Sequence, residues 1–270
     1  DSSAMKERMK DGYNGKYSDY ITKYDELASF HYEKISNTLI QKVDCKGKKV
    51  IDVGCGTGIL SLIILEKNVA QLTCFDQSEL MLEKCRGKAA SEGYGEDLVS
   101  FHEGDAEALP FKDATYDVVF FNMVLGMIPN QQATIKELIR ILRPGGTIAL
   151  SAHGPAHYME AVEAAVKSMN MRYFLGHRFE FWPRDENEIE SFFMNAGVDN
   201  IQTERLTWID EFEDGGEVFD FFASTSGLWW YHRLPPDIRN KETEKTRTYF
   251  QRKNVTKMSS DVVFAIGKKR

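Results

Sequence analysis

Three glycines, Gly54, Gly56 and Gly58, occupy every second position directly after the apolar run V-I-D-V. Because glycine has no side chain, such a loop lets a ligand approach the backbone closely. A dinucleotide site has the spacing G-x-G-x-x-G, but Ile59 stands where its third glycine would lie, and Asp52 stands where that site keeps an apolar residue. No lysine of a triphosphate-binding loop follows. The loop therefore predicts a ligand site of another kind, with a plain strand-to-helix turn as the simpler alternative.

Polar side chains end three of the predicted strands that follow the glycine loop. Asp76 lies 18 residues after Gly58, where a carboxylate can accept hydrogen bonds from both hydroxyls of a ribose. Asp105 lies in the stretch G-D-A-E-A-L-P-F, where its carboxylate can accept from an adenine amino group while the next backbone amide donates to the ring. Asn122 ends the next strand and faces the same crevice. Each residue alone is more typical of a cap or turn, but together they indicate a site for an adenosine without phosphates.

Strand-like and helix-like stretches alternate along the chain and would position these residues. The predicted strands are 49–53, 72–76, 99–103, 116–122, 147–152, 201–208 and 261–267. The predicted helices are 58–67, 78–93, with Ser78 as N-cap, 131–142, 155–170 and 185–196. Such alternation predicts an α/β fold with a mainly parallel sheet and helices on both faces. Ligands bind such sheets beyond the carboxyl ends of the strands.

Composition and charge are those of an ordinary globular protein. Hydrophobic residues make up 42% of the 270 residues, and the net charge is −7. Residues 233–270 carry 11 Lys and Arg against 4 Asp and Glu, whereas the rest of the chain carries 23 against 37. The excess of acidic residues over residues 1–232 argues against nucleic-acid binding. The alternative is that residues 233–270 form a basic patch for an anionic partner. Four cysteines without metal-ligand spacing, no apolar run of membrane-spanning length and a polar N-terminus predict a cytoplasmic protein that holds no metal.

The motifs as a set make the sequence similar to class I S-adenosylmethionine-dependent methyltransferases. The matching stretches are V-I-D-V-G-C-G-T-G, the strand end at Asp76, G-D-A-E-A-L-P-F, Y-D-V-V-F-F-N-M and L-R-P-G-G, over about residues 48–151. The sequence most resembles the small-molecule group that includes the ubiquinone and menaquinone biosynthesis methyltransferases. The resemblance implies a Rossmann-like sheet of seven strands in the order 3-2-1-4-5-7-6, with the last strand antiparallel and a helical lid.

The resemblance also implies S-adenosyl-L-methionine as cofactor, S-adenosyl-L-homocysteine as product, and a role for each motif residue. By position, the glycine loop would line the methionine and ribose, Asp52 would lie near the ammonium or sulfonium, and Asp76 would bind the ribose. Gln77, Met81, Asp105 and Ala106 would surround the adenine, and Asn122 and Met123 would lie below the methionine. The implied cofactor residues are Asp52, Gly54, Cys55, Gly56, Asp76, Gln77, Met81, Asp105, Ala106, Asn122 and Met123. Tyr17 and Tyr24 are added because many relatives close their site with an N-terminal aromatic residue.

The acceptor side of the site has fewer signals. Tyr13, Tyr17, Tyr20 and Tyr24 fall at helical spacing and would form one stripe, either packed on the core or serving as a lid over residues 1–45, with Tyr20 touching the substrate. A second aromatic cluster in the predicted insertion 210–258 offers further substrate residues, with packing of the insertion as the alternative. These substrate residues are Phe222, Trp229 and Trp230. Candidate bases are His153, His157 and His232, with His31 and Tyr32 as weaker candidates.

The sequence thus predicts a methyltransferase domain over residues 46–270 that moves a methyl group from S-adenosylmethionine to a small organic acceptor. Positioning would supply most of the catalysis, because the methyl donor is already activated. Two alternatives stay open: methylation of a protein or nucleic acid, and a catalytically inactive cofactor-binding subunit. A nicotinamide oxidoreductase is opposed by Ile59 and Asp52. The aromatic residues of the predicted insertion favour a bulky or apolar acceptor.

Overall fold

A computed structural model of the chain describes residues 2–168, 185–226, 228, 231 and 234–270. Across this part of the chain, seven strands form one sheet in the order β3-β2-β1-β4-β5-β7-β6. The strands are β1 (Lys49–Val53), β2 (Gln71–Asp76), β3 (Val99–Glu103), β4 (Tyr116–Asn122), β5 (Leu142–His153), β6 (Val198–Glu211) and β7 (Lys257–Lys269). The first five strands pair in parallel, and β7 runs antiparallel between β5 and β6. The predicted strand order and the antiparallel last strand are confirmed.

The helices that the structure describes alternate with these strands or cover one end of the sheet. They are α1 (Ser2–Tyr13), α2 (Tyr24–Ile40), α3 (Ile59–Leu65), α4 (Glu79–Ser91), α5 (Gln131–Ile141), α6 (Met159–Ser168), α7 (Glu186–Asn195), α8 (Gly215–Ser226) and α9 (Pro236–Arg252). The hydroxyl of Ser78 accepts from the backbone N–H of Met81 and caps α4 as predicted. None of the described helices combines the length and apolar composition needed to cross a bilayer.

Several predicted boundaries differ from the structure. Strands β6 and β7 extend at both ends beyond the predicted ranges 201–208 and 261–267. Strand β5 begins at Leu142 rather than at residue 147, because the R-P-G-G stretch continues the strand around Gly145, whose φ is +76°. Helix α6 begins at Met159 rather than at residue 155, because residues 154–158 form a turn held by the bond from Gly154 N to Asp261 O (2.6 Å). The last residues of that predicted helix, 169–170, lie outside the described residues.

The four N-terminal tyrosines do not share one helix, and that prediction is wrong. Helix α1 ends at Tyr13, because Gly15 adopts a φ of +81° that interrupts the helical backbone. The hydroxyl of Ser18 then caps a short 3₁₀ helix, Asp19–Lys23, by accepting from the Tyr20 N–H. The tyrosines consequently point in different directions and do not form one stripe.

Three groups of buried apolar side chains hold the domain together. One lies on the sheet face covered by α2, α3 and α4, and another lies on the face covered by α5 and α7. The third, which we call the roof cluster, packs the N-terminal segment, α6, α8 and α9 onto one another. Its larger members are Met9, Tyr17, Tyr158, Val218, Phe219, Phe221, Phe222, Leu228, Tyr231, Leu234, Phe250 and Met258. The roof cluster therefore joins segments far apart in sequence above the carboxyl end of the sheet.

Candidate functional site

A cleft opens beyond the carboxyl ends of the central strands, where the strand order reverses between β1 and β4. It has a volume of about 1130 Å³, counting the space open to solvent at its mouth. The sheet side of the cleft is formed by the glycine loop and by the ends of β1, β2, β4 and β5. Residues of α1 and α2 and Thr225 of α8 close it from the other side. All the predicted cofactor residues line this cleft except Tyr17.

The glycine loop reaches the cleft through a backbone that only glycine fits well. Gly54 N donates to Phe75 O (2.7 Å), and φ is +76° at Gly54, +56° at Gly56 and +91° at Gly58. A Cβ at Gly54 would lie 2.3 Å from a Val124 methyl carbon, and one at Gly58 would lie 2.5 Å from the Cys85 sulfur. A Cβ at Gly56 would meet no atom within 4 Å. The outer two glycines thus permit close packing, while Gly56 leaves space beside the cleft.

Asp76, at the end of β2, connects the glycine loop to the start of α4. Its Oδ2 accepts from Gly56 N and its Oδ1 accepts from Ser78 N, both at 2.8 Å. Burial raises the pKa of this carboxyl to about 6, and the backbone N–H donors counteract that rise. Each oxygen keeps a further lone pair, so the carboxylate can hold the loop and still accept from a ligand in the cleft.

Asp52, on β1, is a carboxylate buried in the floor of the cleft with 1% of its surface exposed. Its Oδ2 accepts from the Ser61 hydroxyl at 2.7 Å, whereas Oδ1 has no hydrogen-bond partner among the described residues. Burial raises its pKa to about 7. A buried acceptor without a partner is costly, so this oxygen is suited to a donor or cation that enters the cleft.

The loop after β3 is tied to helix α1 by ion pairs. Lys6 Nζ lies 2.5 Å from Asp105 Oδ2 and 2.9 Å from Glu107 Oε2, and Lys10 Nζ lies 2.6 Å from Glu103 Oε1. Lys6 and Asp105 both line the cleft. Helix α1 is therefore held across the mouth of the cleft by charges on the opposite wall.

The end of β4 carries an amide and a strained backbone. Asn122 donates through Nδ2 to the Ser36 hydroxyl (3.1 Å) and accepts at Oδ1 from the Ser151 hydroxyl (2.5 Å). Met123 adopts a φ of +58°, which is uncommon for a residue with a side chain. Its backbone N–H donates to Ser151 O at 3.0 Å, and this bond helps to hold the unfavourable conformation. Both Asn122 and Met123 line the cleft.

Tyrosine side chains form the wall opposite the glycine loop. Tyr13, Tyr24 and Tyr32 line the cleft. The rings of Tyr24 and Tyr32 stack with centroids 5.1 Å apart, and burial raises the pKa of both hydroxyls. The Tyr158 hydroxyl lies 2.8 Å from Nε2 of His31, a neutral imidazole because burial lowers its pKa to about 3. This wall is therefore polar and carries no charge.

Of the predicted bases and substrate residues in the described part of the chain, His153 and the weaker candidate Tyr32 line the cleft, whereas His31 does not. Burial lowers the pKa of His153 to about 3, so it is neutral. His157 lies outside the cleft, because its Nδ1 accepts from the backbone N–H of Asp261 at 2.9 Å. Phe222 also lies outside, packed in the roof cluster. Trp229, Trp230 and His232 fall outside the described residues.

Tyr17 and Tyr20 are turned away from the cleft. Tyr17 packs in the roof cluster with the Arg239 guanidinium 4.9 Å from its ring centroid, and its hydroxyl donates to Asp11 at 3.4 Å. The Tyr20 ring meets Phe219 edge to face at 5.6 Å, and burial, with the charge of Asp220, raises the pKa of its hydroxyl. Both tyrosines therefore pack in the roof cluster. For these two residues the structure shows packing on the core and not a role as a lid.

The arrangement of glycine loop, strand-end carboxylates and switch-point cleft is matched by a known family. The family model of a methyltransferase domain matches residues 44–212, which contain every strand from β1 to β6. The chain belongs to this methyltransferase family. Its matched region holds the glycine loop and all three strand-end aspartates.

Relatives of this methyltransferase domain include enzymes named for hydroquinone and menaquinone substrates. It is 32% identical over 177 residues to 2-methyl-6-phytyl-1,4-hydroquinone methyltransferase 2, chloroplastic, of Oryza sativa subsp. japonica, covering 64% of this chain and 46% of the relative. It is 28% identical over 241 residues to the demethylmenaquinone methyltransferase of Lactococcus lactis, covering 82% of this chain and 90% of the relative. The chain spans a little under half the length of the plant relatives that it matches.

Solved structures share the fold of this methyltransferase domain at low sequence identity. The YcgJ protein of Bacillus subtilis superposes with a TM-score of 0.62 at 18% identity, over 88% of this chain and 98% of that one. Phosphoethanolamine N-methyltransferase 2 of Haemonchus contortus superposes with a TM-score of 0.59 at 15% identity, over 97% of this chain and 60% of that one. The latter was solved with S-adenosylhomocysteine and phosphomonomethylethanolamine bound.

The structure adds cleft residues that sequence reasoning did not select. Lys6 and Met9 come from the first helix, Ser36 from α2 and Thr225 from α8. No motif marks them, because each reaches the cleft through the packing of a segment distant in sequence. The predicted N-terminal lid could have indicated Lys6 and Met9, since a helix that folds over the carboxyl end of the sheet must contribute residues to the lining of the cleft.

Proposed function

We propose that this protein transfers a methyl group from S-adenosylmethionine to a small organic acceptor by in-line displacement. The observation that carries the proposal is the convergence of Asp52, Asp76 and Asp105 with the glycine loop on one cleft. Family membership, and the S-adenosylhomocysteine bound in the Haemonchus contortus structure, support it further.

The residues of the cleft fit an adenosine with a cationic sulfur and an amino acid tail. Asp76 is suited to accept from the ribose hydroxyls, and Asp105 with the Ala106 amide is suited to the adenine edge. Gly56 leaves open space for close backbone contact. The partnerless Oδ1 of Asp52 is suited to the positive charge near the methionine.

When bound, the cofactor would supply a methyl group that is already activated by its attachment to a sulfonium. The protein's own contribution is then to orient the acceptor and to exclude water, and positioning can lower a barrier by roughly 7–11 kcal/mol. Helix α1, held by Lys6 and Lys10, is suited to act as the lid that excludes water. His153 is neutral and lines the cleft, so we propose it as a hydrogen-bonding partner of the acceptor.

A small acceptor with a partly apolar body fits the cleft best. Tyrosine and methionine side chains line the side opposite the glycine loop, and the relatives are named for hydroquinone and menaquinone substrates. A macromolecular substrate has little support, because cations of the C-terminal basic segment are engaged within the chain. Arg247 pairs with Asp220 at 2.9 Å, and Lys245 pairs with Glu242 at 3.6 Å.

Calorimetric titration with S-adenosylhomocysteine, with NAD as the control ligand, tests the proposal directly. Micromolar binding of S-adenosylhomocysteine alone is expected, because the strand-end aspartates match one adenosine and the loop lacks the dinucleotide spacing. Binding of NAD in its place, or of neither ligand, would contradict the proposed function.

Substituting Gly56 by alanine should separate ligand binding from folding. Its φ of +56° costs an alanine roughly 1–2 kcal/mol, and the new methyl group would occupy space beside the bound cofactor. We expect affinity for S-adenosylhomocysteine to fall at least about tenfold, measured by calorimetry. Gly47→Ala is the matched control, since Gly47 has a φ of +69°, similarly open space and a position outside the cleft. Equal affinity in both variants would remove Gly56 from the binding site.

A further inference from the structure

Resting on the proposed function, we propose that the Tyr32 hydroxyl is the group that hydrogen-bonds to the oxygen of a hydroxylated aromatic acceptor. Tyr24 and His31 are positioning residues whose rings hold the Tyr32 ring in place. The acceptor would thus be recognised by a wall of neutral tyrosine donors opposite the glycine loop. Tyr24 and Tyr32 of this wall lie on α2, and Tyr158 lies in the turn before α6.

The ring of Tyr32 is held by two neighbouring rings. It stacks on Tyr24 with an interplanar angle of 17°, and its edge meets the His31 ring at a centroid distance of 5.0 Å. Both Tyr24 and Tyr32 line the cleft. Ser36, one turn further along α2, lines the same cleft and leads to Asn122. A side chain held in this way presents its hydroxyl to a ligand at little further cost in conformational entropy.

The groups of the tyrosine wall and those behind it do not ionise near neutral pH. The Tyr158 hydroxyl lies 2.8 Å from Nε2 of His31, whose ring meets that of Tyr32. Burial raises the pKa of Tyr13, Tyr24, Tyr32 and Tyr158, and it lowers the pKa of His31 to about 3. The wall therefore keeps its protons and acts by donating hydrogen bonds.

Neutral donors of this kind favour an oxygen that carries, or develops, negative charge. A hydrogen bond to a charged acceptor is roughly twice as strong as one between neutral groups. Among the described cleft residues, Lys6 is the cationic side chain, and its Nζ is engaged by Asp105 and Glu107. The tyrosine wall thus offers donors without a cation, which suits a phenolate better than a phosphate.

The test uses a matched pair of probes, 4-nitrophenol and 4-nitroanisole, which differ in whether the ring oxygen can ionise. Each is titrated into the full chain with and without S-adenosylhomocysteine, and absorbance reports the ionisation of bound 4-nitrophenol. The wild-type protein is expected to prefer 4-nitrophenol. Tyr32→Phe is expected to reduce that preference about tenfold and to raise the apparent pKa of the bound probe by about one unit.

Tyr249→Phe is the control, because Tyr249 lies on α9 outside the cleft, and it should leave both readings unchanged. Retained S-adenosylhomocysteine affinity in Tyr32→Phe verifies that the variant is folded. An unchanged preference in Tyr32→Phe overturns the assignment, as does a wild-type protein that binds neither probe. Failure of S-adenosylhomocysteine to bind, with the Tyr32-dependent preference intact, would instead refute the proposed function and leave a phenol site.

Discussion

Replacing Asp76 by alanine is expected to weaken the binding of S-adenosylhomocysteine at least about a hundredfold. The carboxylate serves two purposes, since it accepts from Gly56 N and Ser78 N at 2.8 Å and is suited to accept from the ribose. Each hydrogen bond to a charged group is worth about 1.5–3 kcal/mol, and two of them correspond to about a hundredfold in affinity. The variant would lose ligand contacts and also the anchor of the glycine loop.

Calorimetry on the wild type and three variants separates these effects. Asp44→Ala is the control for removing a surface carboxylate, because the Asp44 side chain is 76% exposed and lies 3.8 Å from Lys48. It should bind S-adenosylhomocysteine like the wild type. Asp76→Asn retains one acceptor oxygen and should fall between the wild type and Asp76→Ala. Affinity in Asp76→Ala within threefold of the wild type would rule out the ribose contact and show that the bonds to Gly56 N and Ser78 N do not matter for binding.

The stability of the free protein should respond strongly to pH through Asp52. Its pKa is raised to about 7 when folded, against about 4 for an unfolded aspartate. Between these values the native state holds a proton that the unfolded chain has released, so the contribution of Asp52 to the free energy of unfolding falls as the pH rises. It is fully present below about pH 4 and lost by about pH 7, which amounts to about 4 kcal/mol.

Asp52→Asn should therefore be more stable than the wild type at pH 8 and about equally stable near pH 4. The comparison is made as a difference between the two proteins in urea unfolding at several pH values. This is necessary because burial lowers the pKa of His31, His153 and His157, and such groups contribute stability that is lost as the pH falls below about 6.5. Asp76, with its pKa raised to about 6, adds a smaller change of the same sign as Asp52 in both proteins. A difference that does not grow between pH 4 and 7 would mean that Asp52 is charged in the native state.

The sheet and its loops could be predicted because their signals are local. The glycine loop, the strand ends at Asp76 and Asn122, and the Ser78 cap each depend on a few neighbouring residues. Parallel strands then place their carboxyl ends together whatever the helices do. These features needed no knowledge of long-range packing.

Tyr24 was expected at the cleft, but the packing that builds the tyrosine wall could not be predicted, because most of its contacts are long-range. A single glycine, Gly15 with a φ of +81°, ends the helix that would have aligned the tyrosines. The bond between Tyr158 and His31 spans 127 positions, and the ion pair between Lys6 and Asp105 spans 99. At such separations, nothing in the sequence indicates that the two members of either pair are in contact.

The roof cluster has a consequence for how such a domain can diverge. The glycine loop and the strand-end residues come from one continuous stretch, whereas the roof joins the N-terminal segment to Tyr158, α6, α8 and α9. Mutations that reshape the roof need not disturb Gly56 or Asp76. Descendants of one ancestral gene could therefore acquire new acceptors while inheriting the same cofactor half unchanged.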